Sequence, residues 1–393
     1  MWILNIGQSQ RGIKSYFTFR GTGYTIARHA ATRGEEEMNL EDVFELMIRE
    51  NASDAFLRPG SAPRIRVFTE VRETGGAPLT EGEIMDAVSC VLGGKELDAL
   101  EERRGCDAAV TFRENWRFRL GIFYQQGKVA IVARKIDLKS LSFDELNLPG
   151  EVLMKLCRER RGLILLVGMT GSGKSTTIAS MVEYINTNFG RHILTVEEPV
   201  EYIFSEKRSS IDQREVGRDV MDYESALKQS ATLSPDVLYV GDIRDASICS
   251  SVLKAAEKGM LVISTLHSSN TRMAIETLVS LFPLEQQDRI YYRLSLLLKG
   301  VVAQRLIPRE DKAGLIPAYE VMAWSPAISS AIAEKRLGDI PKILREGTDM
   351  FGTNTYNQSL MKLMKEKKIT LESALEHSDN RRDIEVMLAY NGN

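Results

Sequence analysis

Apolar positions in the first third of the chain change period several times. Leu40, Val43, Phe44, Met47 and Ile48 share one helical stripe, with Asn39 at the N-cap position and acids in the first turn, so ordered structure is predicted to begin at Met38, with a helix following the Asn39 cap. Arg64–Phe68 (RIRVF) alternates as a strand does, Gly75-Gly76 marks a turn, and Glu83–Leu92 has helical spacing. Residues 108–136 hold two alternating runs, AAVTFRENWRFRLGIFYQ and KVAIVARKI, broken at Gly127 in the manner of a hairpin. Helix, strand, helix and antiparallel strands together predict an N-terminal α+β domain over residues 38–140.

Pro149-Gly150, within LSFDELNLPGE, reads as a linker over residues 141–152. Beyond it the pattern becomes short, wholly apolar strands alternating with helices: Leu163–Gly168, Ile193–Val196, Val237–Gly241 and Leu261–Thr265. Runs buried on both faces belong to a parallel sheet covered by helices, which predicts an α/β domain over residues 153–320. IPAYEVM reads as its last strand, and residues 321–393 turn helical. Residues 1–37 show neither period and are expected to form an extended or disordered leader.

Composition narrows the classes. The chain has 393 residues, 51 Lys plus Arg against 54 Asp plus Glu, and a net charge of −3. Its sequence pI of about 6.0 argues against a binder of nucleic-acid backbones, which normally shows a basic face. Cys90, Cys106, Cys157 and Cys249 stand singly, so neither a zinc site nor a disulfide framework is supported, and reduced thiols fit the cytoplasm. No apolar run approaches bilayer length, and the N-terminus lacks a secretory pattern.

Four short segments carry chemistry. Gly168-Met-Thr170-Gly171-Ser172-Gly173-Lys174-Ser175, followed by Thr176, is a complete G-x-x-x-x-G-K-[ST] placed between an apolar strand and a helix. Its glycines let backbone N–H groups surround phosphate oxygens, and the helix N-terminus adds positive potential. Lys174 would reach the β- and γ-phosphates and the Ser175 hydroxyl would ligate Mg²⁺. With no N-K-x-D guanine-reading motif, ATP is preferred to GTP. Glu197, in TVEEPVE, ends a buried strand where a carboxylate could orient water or hold Mg²⁺ through water; a solvated acidic turn is the plain alternative. Asp242 ends VLYVGD as a Walker B acid would, a third candidate Mg²⁺ contact. His267 ends LVISTLH and could sense the γ-phosphate, although a lone histidine is more often structural.

Taken together these motifs closely resemble the PilT/PilU-type twitching-motility ATPases, which retract type IV pili and belong to the secretion ATPase superfamily. GMTGSGKST looks like the family's Walker A, HILTVEEPVEY its Asp box, SPDVLYVGDIRD its Walker B and KGMLVISTLHSS its His box. IDQREVGRD and VAQRLIPR match two further stretches. The resemblance runs from Met38 to the C-terminus. It implies a RecA-like P-loop ATPase core with an N-terminal α+β (PAS-like) domain and a helical C-terminal tail. It also implies ATP and Mg²⁺ as cofactors and a homo-hexamer in which phosphate loss drives rigid-body motion. Location would be cytoplasmic and peripheral at the inner membrane, with the pilus platform protein there and a paralogous retraction motor as partners, and without nucleic acid or zinc. Glu197 would be the acid that polarises water, and Arg119 and Arg134 would supply positive charge to a nucleotide on their own or a neighbouring subunit; ordinary strand-surface charge is the alternative for both arginines.

Departures matter as well. The family's Walker B normally carries Glu where this chain has Asp242, and Glu198 stands where Asp is usual in the Asp box. The retraction-linked motif, close to AIRNLIRE in the family, reads AISSAIAE at Ala327–Glu334, without its two arginines. The last segment looks more like the PilU branch, whose members accompany a main retraction motor. A related secretion-system ATPase, or a regulatory ring subunit that binds ATP and hydrolyses it weakly, are the alternatives. Residues 1–37 have no family counterpart, which suggests a start codon placed too early or a disordered extension.

Overall fold

Residues 16–19, 24–27, 39–68, 70–113, 116–137, 142–312 and 314–391 are described by a computed structural model of the chain. They fall into two compact units. One holds the residues up to Lys139 together with Pro199–Ile203, and the other holds Ser140–Glu198 and Phe204 onward.

In the first unit, helix α1 (Leu40–Arg49) starts where the pattern places it. The Asn39 side chain accepts from the Asp42 N–H while Asp42 caps Asn39 in return, a reciprocal capping box. Strands β1 (Tyr16–Phe19), β2 (Tyr24–Ala27), β3 (Asp54–Leu57), β4 (Arg64–Val67), β5 (Glu70–Glu73), β6 (Gly105–Phe112), β7 (Trp116–Gln125) and β8 (Lys128–Asp137) form one sheet in the order β1-β2-β6-β7-β8-β3-β4-β5. Helices α2 (Glu81–Val91) and α3 (Gly94–Arg103) complete the unit. Its core contains Phe44 stacked on Phe118 at 3.9 Å between ring centroids. The first of the two alternating runs is in fact divided between β6 and β7. It breaks after Arg113, whose φ of 50° puts the backbone in the left-handed region. The expected disordered leader falls mostly outside the described residues, but YFTF and YTIA, rich in aromatic and β-branched side chains, pair as antiparallel strands.

The second unit is built on a seven-stranded sheet of β9 (Gly162–Val167), β10 (His192–Glu197), β11 (Ser210–Glu215), β12 (Val237–Val240), β13 (Leu261–Leu266), β14 (Leu298–Pro308) and β15 (Leu315–Ala323). The order is β11-β10-β12-β13-β9-β14-β15, parallel from β11 to β14, with β15 antiparallel at the far edge. Along β9, Leu163, Leu165 and Val167 enter one apolar cluster while Ile164 and Leu166 enter another. Alternate side chains therefore meet a core on each face, which is why the strand reads as an unbroken apolar run. Helices α4 (Gly150–Arg158), α5 (Lys174–Asn188), α6 (Tyr223–Leu233), α7 (Ala246–Glu257), α8 (Thr271–Ser280) and α9 (Leu284–Leu297) accompany these strands. The segment read as a linker is packed rather than loose: Phe143 and Leu148 are buried in the same cluster as Ile164.

Past β15 come α10 (Pro326–Ala333), α11 (Ile340–Glu346), α12 (Thr348–Phe351), α13 (Tyr356–Lys365), α14 (Leu371–His377) and α15 (Arg381–Asn391). They are not a detached tail. Ile328, Leu344, Tyr356, Leu360 and Ile384 join the apolar cluster of the seven-stranded sheet. No helix among the described residues is long and apolar enough to cross a membrane.

Candidate functional site

Parallel strands bring their carboxyl ends to one edge, and ligands of open α/β sheets bind there. Four adjacent strands, β10, β12, β13 and β9, each end in one of the segments singled out above.

The phosphate loop follows β9 directly. A Cβ at Gly168 would lie 2.4 Å from Ser172 Oγ and 2.5 Å from the Gln304 carbonyl oxygen, and one at Gly173 would lie 2.7 Å from Gln304 Nε2. Both also have positive φ, 154° and 88°, which favours glycine at each, and at Gly168 the nearby backbone carbonyl leaves no room for a side chain as well. Thr170 and Gly171 are exposed at the loop's tip, Ser172 is buried, and Ser175 and Thr176 lie half-buried in the first turn of α5. Lys174 Nζ donates to the carbonyls of Gly168 at 2.7 Å and Met169 at 3.0 Å, which holds the ammonium within the loop. Backbone donors, a lysine charge and the N-terminus of a long helix thus meet in a cradle suited to phosphate oxygens.

At the end of β10, Glu197 is only 5% exposed, and its Oε1 accepts from Thr195 Oγ1 at 2.7 Å. The register pairs Val196 with Val240 and Val240 with Ser264, so the residues just beyond these three strands are neighbours. Asp242 Oδ1 accepts from Thr265 Oγ1 at 3.1 Å, and Asp242 Oδ2 lies 3.9 Å from His267 Nε2. The acid and the histidine picked from the pattern therefore meet. Arg244 adds a link the pattern does not reveal. Its Nη1 donates to Glu198 Oε2 at 2.7 Å and its Nε lies 3.4 Å from Asp242 Oδ2, so one guanidinium joins the ends of β10 and β12. It also stands 5.8 Å from the centre of the Tyr223 ring, whose phenol burial pushes well above its usual pKa.

Arg119 and Arg134 belong to the first unit. They lie directly opposite each other across β7 and β8, and Asp54 faces Arg134 on the other side, in β3. Arg134 Nε is 2.9 Å from Asp54 Oδ1, and Arg119 lies 3.2 Å from Asp107 and 3.4 Å from Glu201. Arg117 shares the face of Arg119 yet is wholly buried, with Nε donating to the Val200 carbonyl at 2.8 Å and Nη1 to Thr111 Oγ1 at 3.0 Å. Nothing in the alternation separates the two arginines, because what buries Arg117 is a segment that lies 83 residues away in the chain.

Arg305, on β14, was equally hidden. Its guanidinium donates to the His377 carbonyl at 2.9 Å, Asp379 Oδ1 at 2.6 Å and the Ser269 carbonyl at 3.2 Å, and lies 4.1 Å from the Tyr356 ring centre. It ties the loop after His267 to the turn between α14 and α15.

A phosphate cradle, two strand-end acids and a histidine on the carboxyl edge of one parallel sheet define a P-loop nucleoside triphosphatase. Comparison with known proteins narrows this. The family profile described as "Type II/IV secretion system protein" matches residues 37–348. The Pseudomonas aeruginosa type IV pilus ATPase PilU is 34% identical over 351 residues, covering 89% of this chain and 91% of the relative. The pilus retraction ATPase PilT of the same organism is 33% identical over 339 residues, covering 86% and 98%. A crystal structure of the pilus retraction motor PilT with bound ADP superposes with a TM-score of 0.80 at 37% identity, over 89% of this chain and all of that one. The chain belongs to the type II/IV secretion system protein family and, within it, to the type IV pilus retraction ATPases.

Proposed function

We propose that this chain assembles as a hexameric ring that hydrolyses ATP to drive type IV pilus retraction, as a PilU-like companion of a main motor. The convergence of the phosphate loop, Glu197, Asp242 and His267 on one sheet edge carries the reading. Lys174 and the loop N–H groups bind the phosphates, with Gly168, Gly171 and Gly173 shaping the cradle and Thr170, Ser172 and Thr176 lining it. Ser175 and Asp242, with Glu197 through water, would hold Mg²⁺, which supplies charge neutralisation at the transferring phosphoryl group. No cluster of three or more His, Cys, Asp or Glu is placed to hold a metal among the described residues.

Glu197 orients the attacking water as general base: it is buried, and its neighbour Thr195 fixes one carboxylate oxygen. His267 senses the γ-phosphate beside Asp242. Arg119 and Arg134 deliver positive charge to a nucleotide of their own or a neighbouring subunit, an effect worth about 10³–10⁵ in rate where such arginines are fully engaged. The place of work is the cytoplasmic face of the inner membrane, against the pilus platform protein. The PilU-like assignment is supported by α10, where Ala327–Glu334 lacks the arginines of the retraction-linked motif.

A second reading, a ring subunit that binds ATP and hydrolyses it weakly, is favoured by one observation. Asp242 is a methylene shorter than the usual Glu and already engaged by Thr265 and Arg244. Turnover by the Asp242→Glu protein separates the two. The motor reading predicts measurable wild-type turnover and a rise, by up to about 10²-fold, when the acid regains its length. Wild-type turnover barely above background, with ATP still bound and no rise in the Asp242→Glu protein, would establish the regulatory reading instead.

A further inference from the structure

β14 runs beside β9 with Ala303 level with Val167, the last residue before the phosphate loop. The next residue, Gln304, therefore stands level with Gly168. It is 3% exposed, an uncommon place for a glutamine amide, and each of its polar ends meets the loop or the helix that the loop opens. Its backbone carbonyl lies against Gly168, and its Nε2 lies against Gly173, close enough that a Cβ on either glycine would clash. Its Oε1 accepts from Thr177 Oγ1 at 2.8 Å, and Thr177, in the first turn of α5, is 1% exposed. One residue thus touches the first glycine of the loop, the last glycine of the loop, and the helix whose N-terminus faces the phosphates.

We infer that Gln304 is a positioning residue for the phosphate loop: bonded to Thr177, it fixes the spacing between Gly168 and the start of α5, and so the direction of the loop's N–H groups. This inference rests on the reading that the loop holds nucleotide phosphates. The physical reason is selective. A loop held open by glycines has little rigidity of its own, since each glycine keeps more conformational freedom than any other residue. Donors aimed at phosphate are effective when their direction is fixed before the ligand arrives, so that binding does not have to order them. β14 is rigid, paired on both sides by β9 and β15, and therefore a sound base for such a strut.

Affinity for MgADP, measured by isothermal titration calorimetry on the full-length protein, tests the idea alongside the thermal melting of the nucleotide-free protein. Gln304→Leu and Thr177→Val each remove one side of the buried bond. Each should weaken MgADP binding about 10- to 100-fold, the range expected when a buried partner is left unmatched. The double variant should be no weaker than the worse single variant, because the two side chains act as one unit. Thr177→Ser keeps the hydroxyl and should restore wild-type affinity.

Unchanged affinity in the two single variants overturns the proposal. So do losses that multiply in the double variant, or an affinity loss that merely follows a fall in melting temperature. If Gln304→Leu fails to fold, Thr177→Val and Thr177→Ser still decide the matter. A wild-type protein that binds no MgADP would instead overturn the nucleotide reading itself, which keeps the two failures distinct.

Discussion

Lys174→Ala lowers steady-state ATP turnover by about 10²–10³-fold, the cost of deleting one preorganised group aimed at developing charge, and pilus retraction in cells carrying the variant falls with it. Lys174 has no equivalent elsewhere in the cradle, because the loop's other donors are backbone N–H groups and hydroxyls without net charge. Its Nζ is held by the Gly168 and Met169 carbonyls, so the ammonium stands ready inside the loop rather than swinging freely in solvent. The substitution does not touch the sheet: Lys174 is half-buried at the first position of α5, where alanine is a good helix former. Circular dichroism should therefore be unchanged while phosphate release falls. Normal turnover in this variant would sink the mechanism.

Glu197→Gln reaches a similar size by another route. The carboxylate is proposed to take the proton from the attacking water, a contribution of about 10²–10⁴-fold. Glutamine preserves the shape and can still accept from Thr195 Oγ1, but it cannot accept a proton at neutral pH. The expected signature is a fall in kcat of about 10²-fold or more with ATP affinity within a few-fold of wild type, read by single-turnover kinetics against equilibrium binding. Loss of binding in step with rate would place Glu197 in substrate or metal binding, and an unchanged rate would remove it from the mechanism.

The site was legible where local pattern and chemistry coincide. Leu163–Val167 reads as a buried strand because both faces of β9 meet apolar clusters, and the glycine spacing after it leaves little choice of conformation. Glu197, Asp242 and His267 are found because parallel strands of one sheet end on one edge, so the strand-end residue is the one to inspect. What escaped is long-range or polar. Gln304 reaches Thr177 across 127 residues of sequence, and Arg305 reaches Asp379 across 74, and no periodicity reports such meetings. β11 escaped because an edge strand needs no apolar run: SIDQRE has no fully buried residue. The 141–152 segment looked like a linker from its Pro-Gly pair, yet Phe143 and Leu148 anchor it on the core. Arg244, two residues beyond the Walker B acid, owes its role to Glu198, 2.7 Å away and 46 residues distant in the chain.

On the proposed function, ATP is turned over with Mg²⁺ at the edge made by Lys174, Glu197 and Asp242. Phosphate release by the purified full-length protein, followed through many turnovers with and without a magnesium chelator, tests it most directly. Sustained release is expected in the ring-shaped oligomer, abolished when Mg²⁺ is removed. Tight ATP binding with release no faster than a protein-free control would contradict it.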